Sequence, residues 1–300
     1  MMEIHIPRVS VLVTLLSLMG CSVAGTPAER FTSPEAAVER LEDVVTSNDA
    51  NKTASLLGSE GDYLLHSGDN ALDRQRANRF NAMFKERHSL KPTSDNQYVV
   101  LIGNKEWPFA VPLVRDGGSW IFDAAAGKEE VFARRIGENE FSALDTARTI
   151  YLAQREYAGQ DWNGDGVYQY AERIISTPGA RDGLYWPTTD AGRRESPLSA
   201  AVARAMRESY QITQGGEPQP FHGYYHKLLY SAARSGEAVD ALSKPGRYWL
   251  ISTPAVWNES GVMTFASNER GWIYEKNLGD DFEFKDASNL TVDDTWTRVE

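Results

Sequence analysis

A single cysteine, Cys21, stands in a chain of 300 residues. That excludes a disulfide framework and any multi-cysteine zinc site. Positive charge is also short, with 31 Lys and Arg against 42 Asp and Glu for a formal net charge of −11. An acidic chain is a poor partner for a polyanion, which argues against DNA or RNA binding. Beyond the first twenty residues no apolar run is long enough to cross a bilayer, and there is no internal repeat or low-complexity block. There is no G-x-S-x-G elbow, no P-loop and no G-x-G-x-x-G. Nothing marks one pair of carboxylates as a glycosidase-like couple, and no residue is assigned a catalytic role. Core material is not lacking: 41% of residues are hydrophobic and 11% aromatic, which excludes a disordered chain, and the length suits two domains.

The amino terminus reads as an address. Val9 to Gly20 (VSVLVTLLSLMG) is an apolar run too short for a membrane-spanning helix and suited to a signal-peptide core. It ends in Leu18-Met19-Gly20-Cys21, which resembles a bacterial lipobox, where cleavage leaves the cysteine as the lipid-bearing first residue. Residues 1–20 are therefore expected to be a signal peptide, and 21–32 a lipid-anchored tether. The alternative, an ordinary buried thiol on a core strand, sits poorly with the terminal position and the small, polar residues 22–29. Several acyl chains hold a protein firmly at a membrane. Ser22 replaces the Asp that usually retains a lipoprotein at the inner membrane, so the expected location is the outer membrane, facing the periplasm.

Three regions follow. Over 33–137 an α+β domain is expected. Ser33-Pro34-Glu35 opens a helix with a cap, a proline at the first position and an acid in the first turn. Val38, Leu41 and Val45 give that helix one apolar face, and a second helical piece ends at Gly58. Strands are expected at 97–102 and 109–115, with Asp116-Gly117-Gly118 turning the chain into a hairpin. Helix followed by twisted hairpin resembles the cone-shaped fold of cystatin-like and nuclear-transport-factor-like domains. Over 138–210 a helical segment is expected. A helix over 128–136, with Gly137 as its C-cap, closes the preceding domain; within the segment a longer helix runs from about 140 to 158 with Leu144, Ala147, Tyr151 and Leu152 inside, and another covers about 198–208. Over 211–300 an antiparallel β domain is expected: strands at 221–230 and 247–253 separated by Lys244-Pro245-Gly246, a hairpin of 262–266 with 272–276, and an acidic edge strand or tail.

The sharpest chemical motif is Asp161 to Glu172, DWNGDGVYQYAE, which matches D-x-[DN]-x-[DN]-G-x5-E at every specified position. Chance produces this in roughly one per thousand chains of such length. The spacing suits calcium, which takes six to eight oxygens at about 2.3–2.6 Å. Asp161, Asn163 and Asp165 alternate side-chain oxygens, Gly166 takes the bend, Val167 offers its carbonyl, Gln169 acts directly or through water, and Glu172 supplies two oxygens from the first turn of a following helix. An EF-hand-like calcium site is the expectation, and a solvated Asn-Gly-Asp-Gly turn the alternative. A lone loop outside the cytosol is expected to bind at about 10⁻⁴–10⁻³ M, as a clamp rather than a sensor.

Other features point less sharply. His222 and His226 are four apart, a spacing that puts both on one side of a helix or strand, and they read first as structural imidazoles on a Tyr-rich strand and second as zinc ligands or a general base. Gly183 to Pro187 (GLYWP) reads first as core and second as an aromatic ligand platform. Taken in order, Asp161–Glu172, Asp182–Pro187, Phe221–Tyr225, Ser260–Phe265 and Gly271–Gly279 resemble the bacterial envelope family called domain of unknown function 2950, as do Gly118–Asp123 and Gly127–Glu130. The resemblance spans about 30–285 and implies a secreted or lipid-anchored protein without assigning an activity. The C-terminal hairpin also resembles the sheet of pilin-like heads. The expected function is a non-enzymatic envelope lipoprotein, a calcium-stabilised binding or assembly module with a membrane anchor and an envelope partner. The alternatives are a calcium-stabilised periplasmic hydrolase using His222 or His226, and an accessory protein of a secretion or pilus system.

Overall fold

In the computed structural model, residues 26–47, 49–162, 166–187, 195–199, 202, 220–231 and 247–299 are described. Cys21, Asn163, Asp165, most of the helix expected at 198–208 and the Lys244–Gly246 turn lie outside them. The chain is a mixed α+β structure with a helical region and antiparallel sheets, as the sequence pattern requires. Four helices come first: α1 (Pro34–Ser47), α2 (Ala50–Leu57), α3 (Asp62–Leu65) and α4 (Asn70–Glu86). Ser33 caps α1 as expected, its hydroxyl accepting from the Ala36 amide at 3.2 Å. Val38, Leu41 and Val45 of α1 are buried, joined by Ala37 and Val44.

The first sheet follows, with β1 (His88–Ser94), β2 (Gln97–Ile102), β3 (Trp107–Pro108), β4 (Leu113–Asp116) and β5 (Ser119–Phe122). All its pairings are antiparallel, in the order β1-β2-β4-β5 with the short β3 also on β2. The β4–β5 turn is Gly117-Gly118, with φ +58° and +92°. Positive φ at both central residues gives the tight hairpin twist and selects glycine. Val100, Ile102, Leu113, Trp120 and Phe122 meet the α1 stripe and Phe84 of α4 in one core. The described part of the expected tether is docked rather than free. Phe31 exchanges two backbone hydrogen bonds with Trp120, and Glu29 pairs with Arg40 at 2.8 Å.

The chain then enters α5 (Ala124–Tyr157), a single helix of 34 residues. Gly137 does not end a first helix here; it lies exposed inside α5. A mid-helix glycine costs about 1 kcal/mol relative to alanine, a cost that tertiary packing on either side overrides. Of the expected inward residues, Ala147 is buried and Leu144 packs on the same core, but the stripe is otherwise different. Ala143, Ala147, Ile150, Ala153 and Tyr157 are buried, whereas Leu152 is 62% exposed. Alanines at this spacing let the helix approach the second sheet closely, and Leu152 falls off the i, i+3, i+4 line that they define.

Beyond α5, β6 (Arg173–Ile175) and β7 (Gly183–Tyr185) form a small parallel pair. The second sheet contains β8 (Tyr224–Ser231), β9 (Arg247–Pro254), β10 (Thr264–Asn268), β11 (Ile273–Lys276) and β12 (Thr297–Arg298). It is an antiparallel meander in sequential order, with β12 as the edge strand anticipated near the C terminus. One face, with Tyr224, Leu250, Phe265 and Ile273, packs on the α5 stripe together with Ile174, Leu184 and Trp186. The opposite face, with Ile251 and Ala266, is covered by Ala287 of a 3₁₀ turn (Phe284–Asn289) and by Trp296. The second half is thus three-layered: helix, sheet, C-terminal segment. Among the described residues no helix is long and apolar enough to cross a membrane.

Candidate functional site

The twelve-residue motif begins where α5 stops. Ala158 and Gly159 close the last turn, and the indole of Trp162 donates to the Tyr157 carbonyl at 2.9 Å. The Gly166 amide donates to Asp161 Oδ2 at 2.9 Å, and Gly166 has φ +84° with open space where a Cβ would stand. The first carboxylate of the motif therefore already folds the chain back on itself at the glycine. Asn163 and Asp165 fall between these anchors and lie outside the described residues. Val167 and Tyr168 are exposed, and Glu172 is exposed at the exit of the loop.

The exit is fixed from a distance. Gln154, fully buried in α5, donates through Nε2 to the Ala171 carbonyl at 2.9 Å and accepts the Ala171 amide on Oε1 at 2.8 Å. This two-way amide clamp returns the chain to the helix that it left. The flank after the loop is strand β6, so Glu172 is not on the first turn of a helix as the sequence reading expected. Ile174 enters the α5 core and Ile175 packs beside it, and branched side chains favour the extended form when a partner strand is present. That partner, β7, is closed by Asp182. Its carboxylate accepts from the Thr177 amide and hydroxyl at 2.7 Å each and pairs with Arg173 at 3.3 Å. Burial works against its ionisation, yet the Thr177 donors and Arg173 hold its carboxyl below the usual carboxylate range. The arrangement is a helix–loop–strand closure, and among the described residues no cluster of three or more His, Cys, Asp or Glu side chains forms.

The histidines separate. His222 sits in the turn before β8 with φ +49° and is half-buried. His226 is on β8, wholly enclosed, with Nδ1 2.8 Å from the Ser252 hydroxyl of its cross-strand partner and Nε2 buried without a hydrogen-bond partner. The His226 imidazole is thus part of the packing of the second sheet. Leu184 and Trp186 of the GLYWP segment are buried in the α5 core.

The family whose model matches this chain is described as protein of unknown function (DUF2950), with residues 28–299 matched. The chain belongs to the DUF2950 family. No curated protein and no solved structure matches it. The matched span of this DUF2950 chain takes in both sheets, all of α5 and the Asp161–Glu172 loop, so the ordered motifs of the sequence reading and the family agree. The sequence motifs do not include Gln154. Its one local signal is a polar side chain on the Ala143–Tyr157 stripe, where a core residue belongs.

Burial lowers the His226 imidazole from an ordinary value of 6.5 to about 3, with His222 nearby adding to the effect and the Phe221 backbone opposing it. The unfolded chain takes up a proton near pH 6.5 that the folded chain refuses until far lower pH. Stability from this residue is complete above pH 6.5 and falls by about 1.4 kcal/mol per pH unit below it. Urea titrations at pH 7 and pH 5 should find the parent losing about 2 kcal/mol more than His226→Gln over that interval; equal losses would contradict the assignment.

Proposed function

We propose that this DUF2950 protein is a non-enzymatic cell-envelope lipoprotein, a binding or assembly module stabilised by one calcium ion. The observation that carries this reading is the closure of the motif. The Gly166 amide sits on Asp161 Oδ2, and Ala171 is clamped to Gln154, so both ends of the twelve residues meet at one end of α5. Within that frame Asp161, Asn163, Asp165, Glu172, the Gln169 side chain and the Val167 carbonyl would hold the ion. They form an all-oxygen set suited to a hard cation. The ion would supply positive charge to an acidic loop and hold α5 against β6, a structural part and not a catalytic one. An EF-hand-like loop with a strand as its outgoing flank is the finer form of this reading. Helices α1 and α4 packed on one sheet likewise support a cystatin-like cone for the first half. A base role for His226 has no support, because its imidazole is fully enclosed.

Terbium tests the loop, with Trp162 and Tyr168 as sensitising rings within it. We expect sensitised emission that calcium competes away and that the Asp161→Asn, Glu172→Gln double variant loses. Absent emission, or emission unchanged in that variant, would contradict the site. The anchor is tested separately in bacterial cells. The parent should fractionate with membranes and Cys21→Ser with the soluble fraction, and membrane association of both would contradict the lipid anchor.

A further inference from the structure

Well away from the loop, α4 and the middle of α5 face each other across a cleft of about 650 Å³ whose floor includes His222. Its polar lining is unbalanced. Arg76 and Arg79, both from α4, share one carboxylate, Glu138 of α5. The contacts are long, 3.4 Å from Arg76 and 3.8 Å from Arg79, against about 2.7–2.9 Å for a well-formed charged pair. Arg76 Nη2 also donates to Asn139 Oδ1 at 3.0 Å, while its Nη1 is buried with no partner. A buried guanidinium nitrogen without an acceptor is costly. Among the charged side chains that line the cleft, two cations face one anion. The nearby acids Asp69, Asp73 and Glu259 do not line it. Asp69 caps α4 and accepts the His222 amide at 3.2 Å. Asp73 binds Ser67 and, with Glu259, offsets the buried Arg135.

The walls are built and not incidental. Asn139 is almost fully buried, and its Nδ2 donates to the Ser260 carbonyl at 2.8 Å. A Cβ on Gly223, whose φ is +75°, would stand 2.2 Å from that Nδ2. His222 therefore occupies a left-handed turn held by Asp69 on one side and Gly223 on the other. Backbone strain at a non-glycine residue persists where the surroundings over-determine it. Burial, with Arg76 nearby, lowers the His222 imidazole against the pull of Asp69, so at neutral pH it adds a hydrogen-bonding group without charge. At the rim stands Phe141, 66% exposed, with Leu72 also lining the cleft.

We propose that this cleft binds the carboxylate of an organic monoanion, with Arg76 and Arg79 taking its oxygens and Phe141 lying against its apolar part. A lining with two cations and one anion, and further carboxylates behind it, suits a monoanion better than a dianionic phosphate. The Arg76 and Arg79 donors that now reach Glu138 suit a planar carboxylate, and the apolar rim favours an organic body over a bare ion. Glu138 then acts as the internal occupant that the ligand displaces. This assignment is independent of the calcium loop.

Calorimetric titration with N-acetyl-L-phenylalanine, its C-terminal amide and inorganic phosphate tests the cleft on the full chain. The carboxylate should bind at one site per chain, and the amide and phosphate at least about tenfold more weakly. Arg79→Gln, at an exposed position, should weaken the carboxylate by about tenfold. Glu138→Gln should tighten it several-fold by removing the internal competitor, a gain that a merely structural role would not produce. Equal binding of acid and amide, no binding of the acid, tighter binding of phosphate, or unchanged or weakened binding in Glu138→Gln would each overturn the proposal.

Discussion

The contact between the small-residue stripe of α5 and the inner face of the second sheet is the constraint on which the rest depends. Ala143, Ala147, Ile150 and Ala153 bring the helix backbone close to Tyr224, Leu250 and Phe265. Full burial of one branched aliphatic side chain contributes about 1.5–3 kcal/mol, and this contact runs over about three turns, from Ala143 to Ala153. Because α5 begins against the first sheet's core, through Ala124, and ends in the second core, through Tyr157, one rigid element joins the two halves. The polar groups along it then do specific things. Glu140 Oε1 accepts the Val262 and Met263 amides at 2.9 and 3.0 Å, fixing the loop before β10. Asn139 holds Ser260, and Gln154 holds Ala171.

That geometry explains why both candidate sites lie along one helix. The Asp161–Glu172 loop follows its C-terminal end, and the arginine cleft opens at its middle, between α4 and the His222 turn. In the cleft, Arg76 stands on α4 and Glu138 and Asn139 on α5, which keeps donors in place before a ligand arrives.

Much of the local structure was legible because its determinants are local. Gly117-Gly118 and the Asn268–Gly271 segment carry turn chemistry in adjacent residues, and Ser33-Pro34 carries a helix start. The α5 reading failed where distant contacts outvote local preference. Gly137 looks like a stop, yet packing on both sides carries the helix through it. Leu152 and Phe141 look like core and face solvent, while Arg135, Asn139 and Gln154 look like surface and are buried. Each of those buried polar groups has a partner far along the chain: Tyr63, Ser260 and Ala171 respectively. The twelve-residue motif Asp161–Glu172 is visible from spacing alone. Its clamp is not, nor is the strand after it, because β6 exists only through pairing with β7. The arginine cleft was invisible for the same reason, since α4, α5 and the His222 turn meet only in three dimensions.

The most direct test of this account is amide hydrogen exchange on the full chain, with and without millimolar calcium. If the Asp161–Glu172 loop is a clamp fastened to α5, calcium should slow exchange in residues 166–175 and along the C-terminal turns of α5, and magnesium should do so far less. Exchange that is the same in α5 and the loop with and without calcium would contradict it.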